Sequence, residues 1–282
     1  MSIPVEARST GVGNPRLAVP WRVLSHGPQD GAWNMATDEA IAQAVGAGQV
    51  PATVRFYAWG APTVSLGCLQ ATQGAIAQAV CRERGVGVVR RPTGGRAVLH
   101  HDELTYSVCV PRDDFWDRAD VTESFRLLGA GLVAGLRRLG VSATLGARDN
   151  ARSAEARASA CFLMRRMPAV LVAEKKLVGS AQRRWDGVLL QHGSLLLGID
   201  LEMHQAVFPD WPRNASYGDV TSLKALLSKL PSRSDMEQAL LEGWADILHV
   251  TGCPGDLTAD ERDAAERLVS ERYANPAWTW RR

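Results

Sequence analysis

The chain has 282 residues, 46% of them hydrophobic and 22% charged, with a formal net charge of +2. This is the balance of an ordinary globular protein with one large core, or one core and a small appendage. It offers no global basic field for nucleic acid and no apolar run near the ~20 residues that cross a bilayer. Residues 1–19 are rich in Pro, Gly and Ser without an apolar centre. They read as a loose arm rather than a signal peptide or anchor, which points to a cytoplasmic protein.

Residues 21–24 predict a strand. Asn34 is placed to cap a helix carrying Met35, Ala36, Ala40, Ile41 and Ala44, with Asp38 and Glu39 in a first turn whose dipole favours them. Residues 54–57 and 63–66 are short β-type runs on either side of Gly60-Ala61-Pro62, and residues 76–84 look helical. Residues 86–89 and 97–99 read as strands flanking a loop, and residues 104–110 as another strand. Residues 121–139 form a long helix with Phe125, Leu128, Leu132 and Leu136 on one stripe and Gly140 ending it. Residues 169–173, 176–178 and 188–197 follow as strands, the last two as a hairpin-like pair. From Ser232 the pattern turns helical through Met236, Leu240, Leu241, Trp244, Ile247 and Leu248, then again over residues 260–273. The result is one α+β domain with a helical C-terminal extension. It is not a dinucleotide-binding βαβ unit, because no GxGxxG opens a helix.

The most informative segment is Arg90-Arg91-Pro92-Thr93-Gly94-Gly95-Arg96-Ala97-Val98-Leu99-His100-His101. Paired glycines between apolar runs permit positive φ and let a ligand lie against backbone N–H groups, while Arg90, Arg91 and Arg96 supply charge-assisted donors. A solvated basic turn explains the arginines but does not require the glycines. His100 or His101 is expected to face the same cavity, with Asp102 orienting it. His192, embedded in an apolar strand with no acid nearby in sequence, reads as a satisfied core histidine.

The five cysteines are odd in number and dispersed, with no CxxC or Cys/His spacing for a metal. Cys68, Cys81 and Cys109 lie in or beside apolar runs and read as small buried hydrophobes. Cys161 differs. It follows a polar Arg/Ala/Ser-rich stretch and precedes Phe162-Leu163-Met164-Arg165-Arg166, an electropositive setting that favours the thiolate. Downstream, Lys176 opens an apolar strand leading to Gly179-Ser180-Ala181-Gln182 and could hold an anionic or carbonyl oxygen. An inert thiol and a surface lysine are equally compatible with these residues alone.

Residues 90–100, followed by Glu103-Leu104-Thr105-Tyr106-Ser107, resemble the signature of the biotin/lipoate protein ligase superfamily. Asn34-Met35-Ala36, Ala160-Cys161-Phe162, and Lys176 to Gln182 with Gln191-His192-Gly193-Ser194 agree in the same order. The resemblance spans roughly residues 20–275. Within the superfamily it is closest to the cysteine-dependent octanoyltransferases of lipoate assembly.

That resemblance implies mixed, largely antiparallel sheets flanked by helices, divided into an arm (1–19), a catalytic domain (20–231) and a helical extension (232–282). It implies a ping-pong transfer in which Cys161 takes octanoate from an acyl carrier protein and Lys176 lowers the thiol pKa and polarises the carbonyl. Arg91, Gly94, Gly95, Arg96, His100, Gly179, Ser180 and Gln182 would then bind substrate. The acceptor would be a lysine of the glycine cleavage H protein or of an E2 lipoyl domain. Neither ATP, cofactor nor metal is implied, since a thioester is already activated. Arg165 and Arg166 depart from the family pattern and could contact an acidic carrier. The alternatives are an ATP-dependent lipoate ligase, which typically has a third glycine where Arg96 stands, an amidotransferase moving acyl groups between lipoyl domains, and a silent lipoyl-domain binder.

Overall fold

A computed structural model of the chain describes residues 19–146, 168–185, 187–211 and 220–281. Element by element, β1 spans Val19–Gln29, α1 Gly31–Gly46, β2 Thr53–Trp59, β3 Thr63–Leu66, α2 Gln78–Glu83, β4 Gly87–Arg90 and β5 Val98–His100. Then come β6 Glu103–Pro111, α3 Asp114–Arg118, α4 Val121–Arg138, β7 Thr144–Gly146, β8 Ala169–Val172, β9 Lys175–Trp185 and β10 Val188–Leu196. The remaining elements are α5 Leu201–Val207, α6 Leu223–Leu226, α7 Arg233–Leu248, β11 Val250–Pro254, α8 Ala259–Leu268 and α9 Pro276–Thr279, with one π-helical turn at Val269–Tyr273.

The main sheet runs β11-β1-β2-β6-β10-β9-β8-β7, and a small sheet runs β4-β3-β5. β1 pairs in parallel with both β2 and β11, and every other neighbour in the main sheet is antiparallel. The strand-flanked turn at residues 60–62 therefore does not close a hairpin: β2 and β3 belong to different sheets. β11, which the sequence left unassigned, extends the main sheet beyond β1. β9 continues seven residues beyond the expected end at residue 178, in register with β10 from Val178↔Leu195 to Trp185↔Val188.

Helices cover both faces. On one, the stripe Phe125, Leu128, Leu132 and Leu136 of α4 is buried. Leu128, Leu132 and Leu136 share a core with Val54, Phe56, Leu104, Tyr106 and Val108 of the sheet and Leu240 and Trp244 of α7. Trp244 is fully buried against Phe56 and Tyr106, and its indole N–H donates to the Leu128 carbonyl at 2.9 Å. On the other face α1 packs Ile41, Ala42 and Val45 against Cys109, Val188 and Leu190. α1 begins at Asp30, whose carboxylate accepts from the Trp33 N–H at 2.9 Å, and not at Asn34. Asp38 and Glu39 therefore lie beyond the first turn, in the buried middle of the helix. No helix among the described residues is long and apolar enough to cross a membrane.

Candidate active site

Residues of the small sheet and of β2, β6, β10 and β9 border a common cavity of about 40 Å³. Met35, Tyr57, Trp59 and Val98 give it apolar walls. Ser65, Arg91, His100, Thr105, His192 and Ser194 add polar groups, and Gly179, Ser180 and Gly193 present backbone. A second, wider groove of about 540 Å³ adjoins it, lined by Leu69 to Ala71, Gly94 to Arg96, Val121, Phe125, Pro168, Ala169 and Gln182. Lys176, Ser180 and Ala181 line both. Lys176 is only 5% exposed and stands at the junction.

The polar groups of the inner cavity form two hydrogen-bond chains that start at one side chain. The Arg91 guanidinium, 3% exposed, donates from Nη1 to Ser65 Oγ (3.0 Å) and from Nε to Thr93 Oγ1 (3.1 Å). Ser65 meets His100 Nε2 at 2.8 Å, and His100 Nδ1 meets Glu103 Oε1 at 2.8 Å. Thr93 meets His192 Nε2 at 2.7 Å, and His192 Nδ1 meets Asp38 Oδ2 at 3.1 Å. A carboxylate can only accept from a ring N–H, so Nδ1 of each histidine carries a proton, and the neutral His192 accepts the Thr93 hydroxyl proton at Nε2. Two acid–histidine pairs thus face one cavity, oriented from the same arginine.

Both carboxylates are fully buried yet ionised. Burial pushes the Asp38 carboxyl up, but the hydrogen bond from His192 and the charge of Arg55 outweigh it and hold the group below its usual range. Arg55 Nη1 approaches Asp38 Oδ1 to 2.8 Å, and Ser107 and Tyr57 hydroxyls add 2.8 and 2.9 Å contacts. For Glu103, burial again raises the pKa while His100, Ser194 and Thr105 lower it, with a net depression. Burial lowers the pKa of His192 despite its carboxylate partner, so the ring is neutral. The Trp59 indole stacks on His100 with centroids 4.0 Å apart and donates to Thr105 at 2.8 Å, fixing that wall.

Every expected binding residue among the described ones reaches these two cavities. Arg91, His100, Gly179 and Ser180 line the inner one; Gly94, Gly95, Arg96 and Gln182 line the outer one. Gly95 adopts φ 96°, the left-handed conformation the paired glycines anticipate. Arg91 directs its donors into the loop itself, at Gly94 O and Arg96 O (2.7 and 2.8 Å), so it shapes the turn. Cys161, Arg165 and Arg166 lie outside the described residues; Pro168, seven positions after Cys161, lines the outer groove.

Three expectations need correction. His100 is oriented by Glu103, whereas Asp102 pairs with Lys224 at the surface and His101 is exposed. The parity of the strand carries the signal: Glu103, Thr105 and Ser107 alternate with Leu104, Tyr106 and Val108, which places Glu103 on the polar face with Thr105. His192 is satisfied at both nitrogens, as a core histidine should be, but it also lines the cavity and its acid partner comes from α1. Cys81 and Cys109 are buried as expected, whereas Cys68 is half-buried with Arg281 Nη2 3.2 Å from its sulfur.

Residues 30–245 match the lipoyl protein ligase A/B catalytic domain. The octanoyltransferase LipM of Kyrpidia tusciae is 43% identical over 272 residues, covering 93% of this chain and 99% of that protein. The octanoyltransferase LipM of Bacillus subtilis (strain 168) is 33% identical over 274 residues, covering 93% and 98%. Among solved structures, a lipoate-protein ligase A bound with ATP superposes with a TM-score of 0.77 at 25% identity, covering 93% of this chain and 98% of that one. A bi-partite lipoate protein ligase from Thermoplasma acidophilum has the same fold, with a TM-score of 0.75 at 24% identity, covering 93% and 96%.

Proposed function

Because the chain belongs to the lipoyl protein ligase A/B catalytic domain family, we propose that it is an octanoyltransferase of lipoate assembly that works through a cysteine acyl-enzyme. The donor is the octanoyl thioester of an acyl carrier protein. The acceptor is a lysine of a lipoyl-bearing protein, the glycine cleavage H protein or an E2 lipoyl domain, in the cytoplasm. The observation that carries this reading is the junction of the two cavities at Lys176: an inner space with largely apolar walls meets a wider groove at one buried lysine. The octanoyltransferase relatives support the acyl group, and the buried acid–histidine pairs, each histidine bonded at both ring nitrogens, support a preorganised wall rather than a hydrolytic base.

In the first half-reaction the Cys161 thiolate adds to the thioester carbonyl, the carrier's C–S bond breaks, and the departing thiolate takes up a proton. The octanoyl group is left on Cys161 as a new thioester. In the second, the ε-amine of the acceptor lysine adds to that carbonyl, a C–N bond forms, and the C–S bond to Cys161 breaks as the amine proton passes to sulfur. Lys176 supplies positive charge that favours the thiolate and steadies the oxyanion of each addition. Gly94, Gly95, Arg96 and Gln182 line the groove along which donor and acceptor approach, and Arg91, His100, Gly179 and Ser180 border the acyl chain.

The test is intact-mass spectrometry after mixing the protein with octanoyl-carrier protein in the absence of ATP. An octanoyl adduct that disappears in Cys161→Ser, and that forms more slowly in Lys176→Ala, is the expected outcome. Acylation of the acceptor that requires ATP and survives Cys161→Ser would overturn it in favour of ligase chemistry.

A further inference from the structure

Residues 276–281 lie beyond the matched catalytic domain, which ends at residue 245, yet they are fastened to the motif at its centre. The fastener is Arg90, whose side chain is fully buried and lines neither cavity. Its Nε donates to Thr279 O at 3.0 Å and its Nη2 to Arg281 O at 2.9 Å. On the opposite side Nη1 donates to Gly67 O at 2.7 Å and Gln70 O at 2.8 Å, with Cys68 O at 3.4 Å. The return contact comes from the Trp278 indole, which donates to Arg90 O at 2.9 Å. Arg281 lies over the Trp278 ring at 3.5 Å and reaches Cys68 O at 3.2 Å.

Five backbone carbonyls from two remote segments therefore converge on one guanidinium. A planar fork with five N–H donors satisfies them; an ammonium has three donors on a single atom. The loop so held supplies Leu69, Gln70 and Ala71 to the wall of the outer groove. It is also pressed against the glycine turn, since Cys68 N–H donates to Thr93 O at 2.8 Å and a Cβ on Gly67 would come within 1.9 Å of Gly95 O.

We propose that Arg90 is a positioning residue, and that residues 276–281 are the backing that lets it hold the 67–71 wall of the groove at its working distance from the glycine turn. The tail belongs to the substrate-binding apparatus although it contributes no atom to either cavity. The kinetic half of this inference rests on the octanoyltransferase reading; the structural half does not.

The test uses two full-length variants, Arg90→Lys and Arg281→Ala, followed by hydrogen–deuterium exchange and by steady-state transfer from octanoyl-carrier protein. Exchange over residues 66–72 should accelerate about tenfold or more in each, with β6 and β10 unchanged, because the loop loses its carbonyl partners while the core keeps its own. KM for the donor should rise about five- to twentyfold with kcat within about twofold, the pattern of lost ground-state binding. Unchanged exchange over 66–72 in both variants, or a fall in kcat with KM unaltered, would overturn the proposal. Should Arg90→Lys not fold, Arg281→Ala decides it. Exchange needs no turnover, so a wild-type protein inactive in transfer would sink the functional reading while leaving the positioning of the loop to be judged on its own.

Discussion

Asp38 is the residue on which most of the site's geometry converges. It binds Arg55, Tyr57, Ser107 and His192 at once, and Arg55 is as completely buried as the carboxylate it faces. Removing one member of such a pair leaves the other as an uncompensated charge, so Asp38→Asn should cost about 3–5 kcal/mol of stability, seen as a lowered urea midpoint. A loss below about 1 kcal/mol would mean that Arg55 finds water or another acceptor. The sequence placed Asp38 in a helix but explained it by the helix dipole, because Asn34 looked like the cap. The true cap, Asp30, sits four residues earlier, and an acid far inside a helix needs a partner that only the fold can name. His192 is 154 positions away in sequence. Glu103, by contrast, was within reach of strand parity, and Lys176 and the glycine loop, singled out for chemistry that is local in sequence, line the two cavities.

At the scale of elements, α4 and α7 approach closely enough to exclude side chains. A Cβ on Gly243 would lie 2.2 Å from Gly131 O and 2.4 Å from Gly135 N, both backbone atoms that cannot step aside cheaply. Gly243→Ala gains up to about 1 kcal/mol in helix propensity, but forcing the helices apart costs about 1–3 kcal/mol. Thermal unfolding should therefore show a net loss of stability; a raised melting temperature would contradict this packing. The stripe of α4 and the helical pattern of α7 were legible because hydrophobic period is written in nearby residues. β11 was not. Val250–Pro254 contains Gly252 and ends in proline, and only its pairing with β1 makes it a strand. The second half of β9, with Gln182, Arg183 and Arg184, lacks an apolar alternation because its residues are half-buried on both faces.

For the molecule as a whole, the buried ionisable groups share one direction of response to acid. Burial, reinforced by the charge of Arg55, lowers the His26 pKa to about 4, and its Nδ1 accepts the Arg55 Nε–H at 2.9 Å, a bond that protonation breaks. The unfolded chain takes up this proton near 6.5. The stabilisation from neutral His26 is therefore complete above that pH and drains away as the pH falls toward 4. His192, also depressed, acts with the same sign. Asp38 and Glu103 are depressed acids; their contribution holds above the ordinary carboxylate range, about pH 4, and is lost below it. Denaturant melts across pH should thus show stability declining from about 6.5 and steepening below about 4, with His26→Gln flattening part of the upper branch. A profile level from pH 7 to 4.5 would contradict the assignment. The α+β class followed from alternation of patterns along the chain and the helix-flanked mixed sheet from the family resemblance, but strand order did not, since pairing such as Val19 with Val250 carries no local signature.

That pairing, with the tail at Arg90, has a consequence for how the molecule is made. A chain emerging from the ribosome can form α1, β2 and β6 early, but β1 keeps an open edge until residues 250–254 arrive, and the groove lacks its backing until residues 276–281 do. Competence for chemistry thus waits on residues 276–281 rather than accruing domain by domain. A nascent chain stalled before residue 250 presents an unpaired parallel edge, the kind of surface on which chaperones and aggregates compete.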